Sequence, residues 1–266
     1  MKSILLSILV LGVMGGVFGA LLALASKVFH VDVDPKQEAI RNCLGGANCG
    51  GCGYPGCDGY AAAVAAGKAP ANCCVAGGPE TAAKIAEIMG VKVDAAEKKV
   101  AFVPCSGTTG HAEMRFNYSG PQDCRAAMLF GGKSNKLCTF ACIGLGNCVK
   151  VCKFDAMHIV DGVAKVDRSK CVGCGACAEA CPKSIIKMLP ASQIVMPACS
   201  NQDKGVRVTK ICDFGCIGCR KCERECPNEA IQVIDNLARI DTDKCTRCGH
   251  CEEICPRHII KLLEKV

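Results

Sequence analysis

The sequence predicts an α+β protein assembled from an N-terminal transmembrane helix, a small cysteine-rich domain and two tandem copies of a cysteine–hairpin module. Three observations predict this. Ile4 to Ala25 is an unbroken run of 22 uncharged, mostly apolar residues. Cysteine accounts for 26 of 266 residues, and the first group has the spacing C-x2-C-x4-C. The C-terminal half matches itself at an offset of 74 residues, Cys171 falling on Cys245. The expected boundaries are 1–30 for the anchor, 31–100 for a membrane-proximal domain, 101–190 for an insert plus the first copy, and 191–266 for a linker plus the second.

The N-terminal run is about long enough to span a bilayer as a helix, which takes about 20 residues. Gly12, Gly16 and Ala20 form one small-residue stripe and Gly15 and Gly19 another, of the kind that lets a second helix approach. A cleaved signal peptide is the rival reading, because Ala23-Leu24-Ala25 resembles a cleavage site. The run exceeds the usual apolar core of such peptides, and no twin arginine marks export of a folded protein. An acidic linker follows, Val31 to Glu38.

In the segment Asn48-Cys49-Gly50-Gly51-Cys52-Gly53-Tyr54-Pro55-Gly56-Cys57, glycines between the cysteines free the backbone to wrap a bulky inorganic cluster and point amides at its sulfurs. A fourth ligand must come from later, and Cys73 and Cys74 are adjacent candidates. Zinc also uses paired cysteines, but no second C-x2-C knuckle accompanies this one. Pro79 to Met89 reads as a helix with proline in its first turn and Gly90 as its C-cap.

In the repeat, Cys142, Cys148 and Cys152 align with Cys216, Cys222 and Cys226. Cys171, Cys174, Cys177 and Cys181 align with Cys245, Cys248, Cys251 and Cys255, in C-x2-C-x2-C-x3-C-P runs. Between the cysteine groups each copy carries a hairpin signal. The first is Met157–Val160, Asp161-Gly162, Val163–Val166; the second is Gln232–Ile234, Asp235-Asn236, Leu237–Ile240. Such runs ligate iron–sulfur clusters, three cysteines of one run sharing a cluster with the last of the other. Each copy is therefore expected to be a bacterial 2[4Fe-4S] ferredoxin-like module. The expected sets are Cys152 with Cys171, Cys174 and Cys177; Cys216, Cys219 and Cys222 with Cys255; and Cys226 with Cys245, Cys248 and Cys251. Proline follows the last cysteine at Pro182, Pro227 and Pro256, and Lys153 replaces it once.

Leu145 stands where the second copy has Cys219, and leucine cannot ligate iron. Cys138, four residues before Cys142, is expected to complete the set with Cys142, Cys148 and Cys181; the alternative is a three-iron cluster. Cys43 reads as a small hydrophobe. Cys105, Cys124, Cys199 and Cys212 lie on the segments that lead into the two copies. Three outcomes stay open for them: a sixth cluster, a structural zinc, or buried thiols. Five [4Fe-4S] clusters are expected in all, six if the first of these holds.

Composition excludes several classes. The formal charge is +7, but thiolate-bound four-iron clusters carry about −2 each, so the basic side chains are no sign of a nucleic-acid partner. Phe130-Gly131-Gly132-Lys133-Ser134 fails as a phosphate loop, since Ala127 stands where its first glycine belongs. Gly144-Leu145-Gly146 lies inside a cysteine run and is no dinucleotide fingerprint. The five histidines show no ligand spacing. No flavin or NAD is expected on this chain, and no catalytic residue. Reduced thiols and clusters favour the cytoplasmic side of the cell membrane.

An apolar N-terminal helix, N-C-G-G-C-G-Y-P-G-C, then Cys74 with Gly77-Gly78, then ferredoxin modules, together resemble the RnfB/RsxB family of Rnf electron transport complexes, in its longer, anaerobe-type form with two modules. The resemblance covers essentially the whole chain and selects Cys74 over Cys73 as the fourth ligand of the first cluster. It implies a chain of clusters carrying electrons from soluble ferredoxin to partner subunits that handle flavin and NAD⁺, coupled to Na⁺ or H⁺ transport. The rival role it suggests is reduction of an iron–sulfur transcriptional regulator.

Overall fold

The computed structural model describes residues 2–28, 34–93, 97–131 and 134–265; the side chains of 2–8, 10, 28, 130 and 131 also lie outside the description. Part of the acidic linker (31–33) and part of the rejected phosphate-loop stretch (132–133) thus fall outside it.

The expected transmembrane helix is corrected by the structure. Helix α1 spans Lys2–Val28, yet among the described residues no helix is long and apolar enough to cross a membrane. The unbroken stretch of described side chains in α1 runs 11–27, includes Gly12, Gly15, Gly16 and Gly19, and ends on Ser26 and Lys27. The side chains of 4–8 and 10, at the start of the expected span, lie outside the described residues.

Three helices build the first cysteine domain: α2 (Pro35–Cys43), α3 (Cys57–Ala65) and α4 (Gly78–Met89). Asp34 caps α2, its carboxylate accepting from the Lys36 amide at 2.9 Å, with Pro35 at the first position. Gly90 ends α4 in the left-handed conformation that releases the chain without a Cβ clash. Ile40, Tyr60, Val64 and Ile85 are the fully buried centre of this domain.

The first repeat then runs β1 (Lys99–Phe102), α5 (Cys124–Gly131), α6 (Asn147–Lys150), β2 (Met157–Val160), β3 (Val163–Val166), α7 (Ala176–Ala180) and β4 (Lys187–Pro190). The second runs β5 (Val195–Pro197), α8 (Gly205–Ile211), α9 (Lys221–Arg224), β6 (Ile231–Ile234), β7 (Leu237–Ile240), α10 (His250–Glu253) and β8 (Ile260–Leu262). Both expected hairpins form, β2 with β3 and β6 with β7. Their two-residue turns, Asp161-Gly162 and Asp235-Asn236, have positive φ at both positions, which matches the right-handed twist of the strands.

Each repeat also closes a second two-stranded sheet. β1 pairs antiparallel with β4, Lys99 opposite Pro190; β5 pairs with β8, Val195 opposite Leu262. Val100, Met157, Val163 and Ile186 fill the first core, and Val195, Ile231, Ile259 and Ile260 the second. The two repeats are sewn together by Arg168, whose guanidinium donates to the carbonyls of Ala191 and Glu264, both at 2.9 Å. Cys105 to Cys138 covers 33 positions where Cys199 to Cys212 covers 13, so the first repeat carries an insert, and α5 lies on it.

Candidate metal centres

All 26 cysteines are free thiols. Among the described residues no three His, Cys, Asp or Glu side chains close on a single metal ion. Sixteen of the cysteines instead line four cavities, four to each, which is the donor set of a cubane whose four irons each take one thiolate.

The first cavity, about 360 Å³ and partly open, is lined by Cys49, Cys52, Cys57 and Cys74. Cys73 is not in its lining; its amide instead donates to the Tyr60 hydroxyl at 3.1 Å. That hydroxyl donates in turn to the Pro70 carbonyl at 2.8 Å, and so holds the loop that carries Cys74. Burial, followed by the nearby Cys73, Cys74 and Cys52 thiols, raises the Tyr60 phenol to about 12, despite the Cys73 amide. The Cys57 amide donates to Asn48 Oδ1 at 2.7 Å, fixing the start of α3.

A cavity of about 370 Å³ beside Leu145 is lined by Cys142, Cys148, Cys181 and Cys124. Cys138 is not there. Cys124 reaches this cavity from the N-terminus of α5: its amide donates to Asn147 Oδ1 at 2.7 Å, and Asn147 Nδ2 donates to Asp123 at 3.0 Å. Asp123 also caps the helix by accepting from the Arg125 and Ala126 amides at 2.7 and 2.9 Å. Leu145 packs against Cys124, Ala127 and Ile143. Burial and then the Cys142, Cys124 and Cys181 thiols push Cys148 up to about 12. Ala164 donates its amide to Cys142 Sγ at 3.5 Å.

Cys138 lies in a third cavity, of about 330 Å³, with Cys105, Cys199 and Cys212. Three of the four thiols expected at a linker site thus share a cavity, with Cys138 in place of Cys124. The exchange has a local cause. Cys138 leads into Cys142 on the side facing the second repeat, where its Sγ accepts from Asn201 Nδ2 at 3.2 Å. Burial, above all else, pushes Cys199 up to about 12.

In the second repeat, Cys216, Cys219, Cys222 and Cys255 line a cavity of about 340 Å³. After burial, the thiols that most raise Cys222, to about 12, are Cys216, Cys255 and Cys219. The last two groups are read from the influence of their thiols on one another. Cys177 is raised to about 11 by burial and then by Cys171, Cys174 and Cys152; Cys251 likewise by burial and then by Cys245 and Cys248, with Cys226 also raising it. The amides of Ala101 and Ala156 donate to Cys171 and Cys152 Sγ at 3.5 and 3.3 Å. Four thiols, amides aimed at sulfur and apolar walls suit a cluster whose own charge stabilises thiolates that resist ionisation alone. Cys43 packs against the first domain's core.

The groups also touch one another. A Cβ on Gly51 would lie 2.9 Å from the Cys174 Cα, so only glycine lets the first domain seat on the first repeat. Lys153, the exception to the proline pattern, donates to the carbonyls of Asn48 and Ala47 at 2.8 and 3.3 Å. The pattern is broken where the side chain serves as a tether between domains.

Comparison with known proteins finds iron–sulfur domains along the chain. Residues 44–76 match the family model described as "Putative Fe-S cluster", 164–187 a "4Fe-4S binding domain" and 215–260 a "4Fe-4S dicluster domain". The chain is 50% identical over 246 residues to the B component of the Na(+)-translocating ferredoxin:NAD(+) oxidoreductase complex of Acetobacterium woodii, covering 92% of this chain and 74% of that one. The chain belongs to the RnfB family. The family also includes the B component of the ion-translocating oxidoreductase complex of Methanosarcina acetivorans, 42% identical over 92% of this chain and 94% of its own. Its counterpart in the proton-translocating ferredoxin:NAD(+) oxidoreductase complex of Clostridium ljungdahlii is 38% identical over 92% of this chain and 87% of its own. As a family member the chain is an iron–sulfur electron-transfer subunit of an oxidoreductase complex with several subunits.

Proposed function

We propose that the chain binds six [4Fe-4S] clusters and passes electrons along them in one line. The ligand sets are Cys49, Cys52, Cys57 and Cys74; Cys152, Cys171, Cys174 and Cys177; Cys124, Cys142, Cys148 and Cys181; Cys105, Cys138, Cys199 and Cys212; Cys216, Cys219, Cys222 and Cys255; and Cys226, Cys245, Cys248 and Cys251. The observation that carries this reading is contact between successive groups. Gly51 abuts Cys174. Cys177 and Cys148 lie in one buried core. The Cys142 amide donates to Cys105 Sγ at 3.5 Å and the Cys216 amide to Cys199 Sγ at 3.4 Å. Cys251 and Cys222 lie in one buried core.

Electrons enter at the second repeat, whose Cys219 and Cys248 are exposed, and leave through the first cysteine domain toward partner subunits. By analogy with its relatives the donor is reduced ferredoxin and the final acceptor NAD⁺, with flavin and nicotinamide chemistry on other subunits. Ion translocation needs a membrane, and the cluster domains face its cytoplasmic side. The relatives' names divide between Na⁺ and protons.

Metal analysis of the anaerobically purified chain tests the reading. Six clusters give about 24 iron atoms and no zinc. About 20 iron atoms, or 20 with one zinc, would refute the linker cluster.

A further inference from the structure

Lys136 is 1% exposed, among the largest fully buried side chains. Its ammonium donates to two backbone carbonyls, Gly107 O at 2.7 Å and Gly162 O at 2.8 Å. Among the described residues no carboxylate forms an ion pair with it. A buried cation satisfied only by neutral carbonyls is a costly arrangement unless negative charge lies close by.

The two carbonyls show where that charge would be. Gly107 borders the linker cavity: a Cβ there would sit 3.6 Å from Cys212 Sγ and 3.8 Å from Cys105 Sγ. Gly162 opens the strand whose Ala164 amide donates to Cys142 Sγ. Lys136 therefore stands at the junction of two adjacent cysteine groups, themselves linked by the Cys142 amide and Cys105 Sγ.

We propose that Lys136 is a fixed positive charge shared by the Cys142 and linker clusters, raising the reduction potential of both. The inference rests on the six-cluster reading. On reduction each cluster gains one electron and one unit of negative charge; no bond is made or broken. A nearby ammonium stabilises the reduced form more than the oxidised one, so both clusters accept the electron more readily than they would without it. The junction between the repeats then holds an electron better than it would without Lys136.

The test is a potentiometric titration of the full chain, followed by low-temperature paramagnetic resonance, for wild type, Lys136→Gln and Lys136→Arg. Glutamine removes the charge and keeps a hydrogen-bond donor. The expected result for Lys136→Gln is full iron content with two of the six reduction steps moved at least tenfold toward the oxidised form, about 59 mV more negative each. Lys136→Arg should titrate like wild type, and the first-domain cluster should not move in either variant. An unshifted Lys136→Gln with full iron would overturn the proposal. So would loss of iron in Lys136→Gln with Lys136→Arg intact, which would make the residue a structural staple. An iron count below six clusters in the wild type would instead fault the underlying cluster reading.

Discussion

The amide of Cys216 donates to the sulfur of Cys199 at 3.4 Å, and the amide of Cys142, its equivalent in the first repeat, makes the matching bond to Cys105 at 3.5 Å. Cys138 and Cys212 are likewise equivalent under the 74-residue offset. The linker cavity is thus lined by two matching pairs, Cys105 with Cys138 and Cys199 with Cys212, and stands on an approximate two-fold relation between the repeats.

This arrangement separates two cysteines that the sequence makes hard to tell apart. Cys138→Ser should cost one cluster's iron and leave the signal of the Cys142 cluster intact. Cys124→Ser should convert or destroy the Cys142 cluster and spare the linker one. Iron analysis with paramagnetic resonance of both variants checks this, and interchanged phenotypes would reject the assignment.

Tyr60→Phe keeps the ring in the core but removes the hydroxyl that joins the Cys73 amide to the Pro70 carbonyl. Leaving these part-buried groups without that partner should cost about 1–3 kcal/mol. The expected outcome is earlier thermal loss of the first-domain cluster, with the ferredoxin-type clusters unaffected. Equal melting of wild type and variant would contradict it.

Lys153→Pro restores the usual residue after the fourth cysteine and removes the tether to Asn48. Because the bond is exposed, stability should change by no more than about 1 kcal/mol. Electron transfer between the first domain and the first repeat should slow instead, since the seating of Gly51 on Cys174 loosens. Flash reduction followed by time-resolved absorbance would detect this; an unchanged rate would show that the tether is dispensable.

In the iron-free chain, burial raises Cys148, Cys199 and Cys222 from 9.0 to about 12, and Cys177 and Cys251 to about 11. The folded apo chain therefore binds these protons more tightly than the unfolded one. Their contribution to stability is complete below about pH 9 and is lost as pH rises toward 11–12. Denaturant midpoints of the apo chain should fall across that window. The cluster-loaded chain, whose thiolates are already ionised, should lack this dependence. A flat apo profile would be evidence against the crowded, dry cavities.

Much of the fold was legible because its signals are local. Asp161-Gly162 and Asp235-Asn236 place both turn residues where φ is positive, and Pro79 with Gly90 brackets a helix. The β1–β4 and β5–β8 pairings were not legible: each strand is three or four residues long, and its partner lies across the whole repeat. Nor was the place of Cys124 in the cavity with Cys142, because closeness in sequence favoured Cys138. Cys124 is carried there by the insert, whose helix start is fixed by Asp123 and Asn147 across a gap of 24 residues. The apolar N-terminal run misled in another way: it met the length expected of a span, yet among the described residues no helix is long and apolar enough to cross a membrane.

Neither repeat supplies more than two of the thiols at the linker cavity. A single repeat alone would hold half the site and nothing to close it. The tandem arrangement therefore does more than lengthen the row of cysteine groups. It makes at the seam a position that belongs to neither copy, and any recombinant that separates the repeats will lose it from both halves at once.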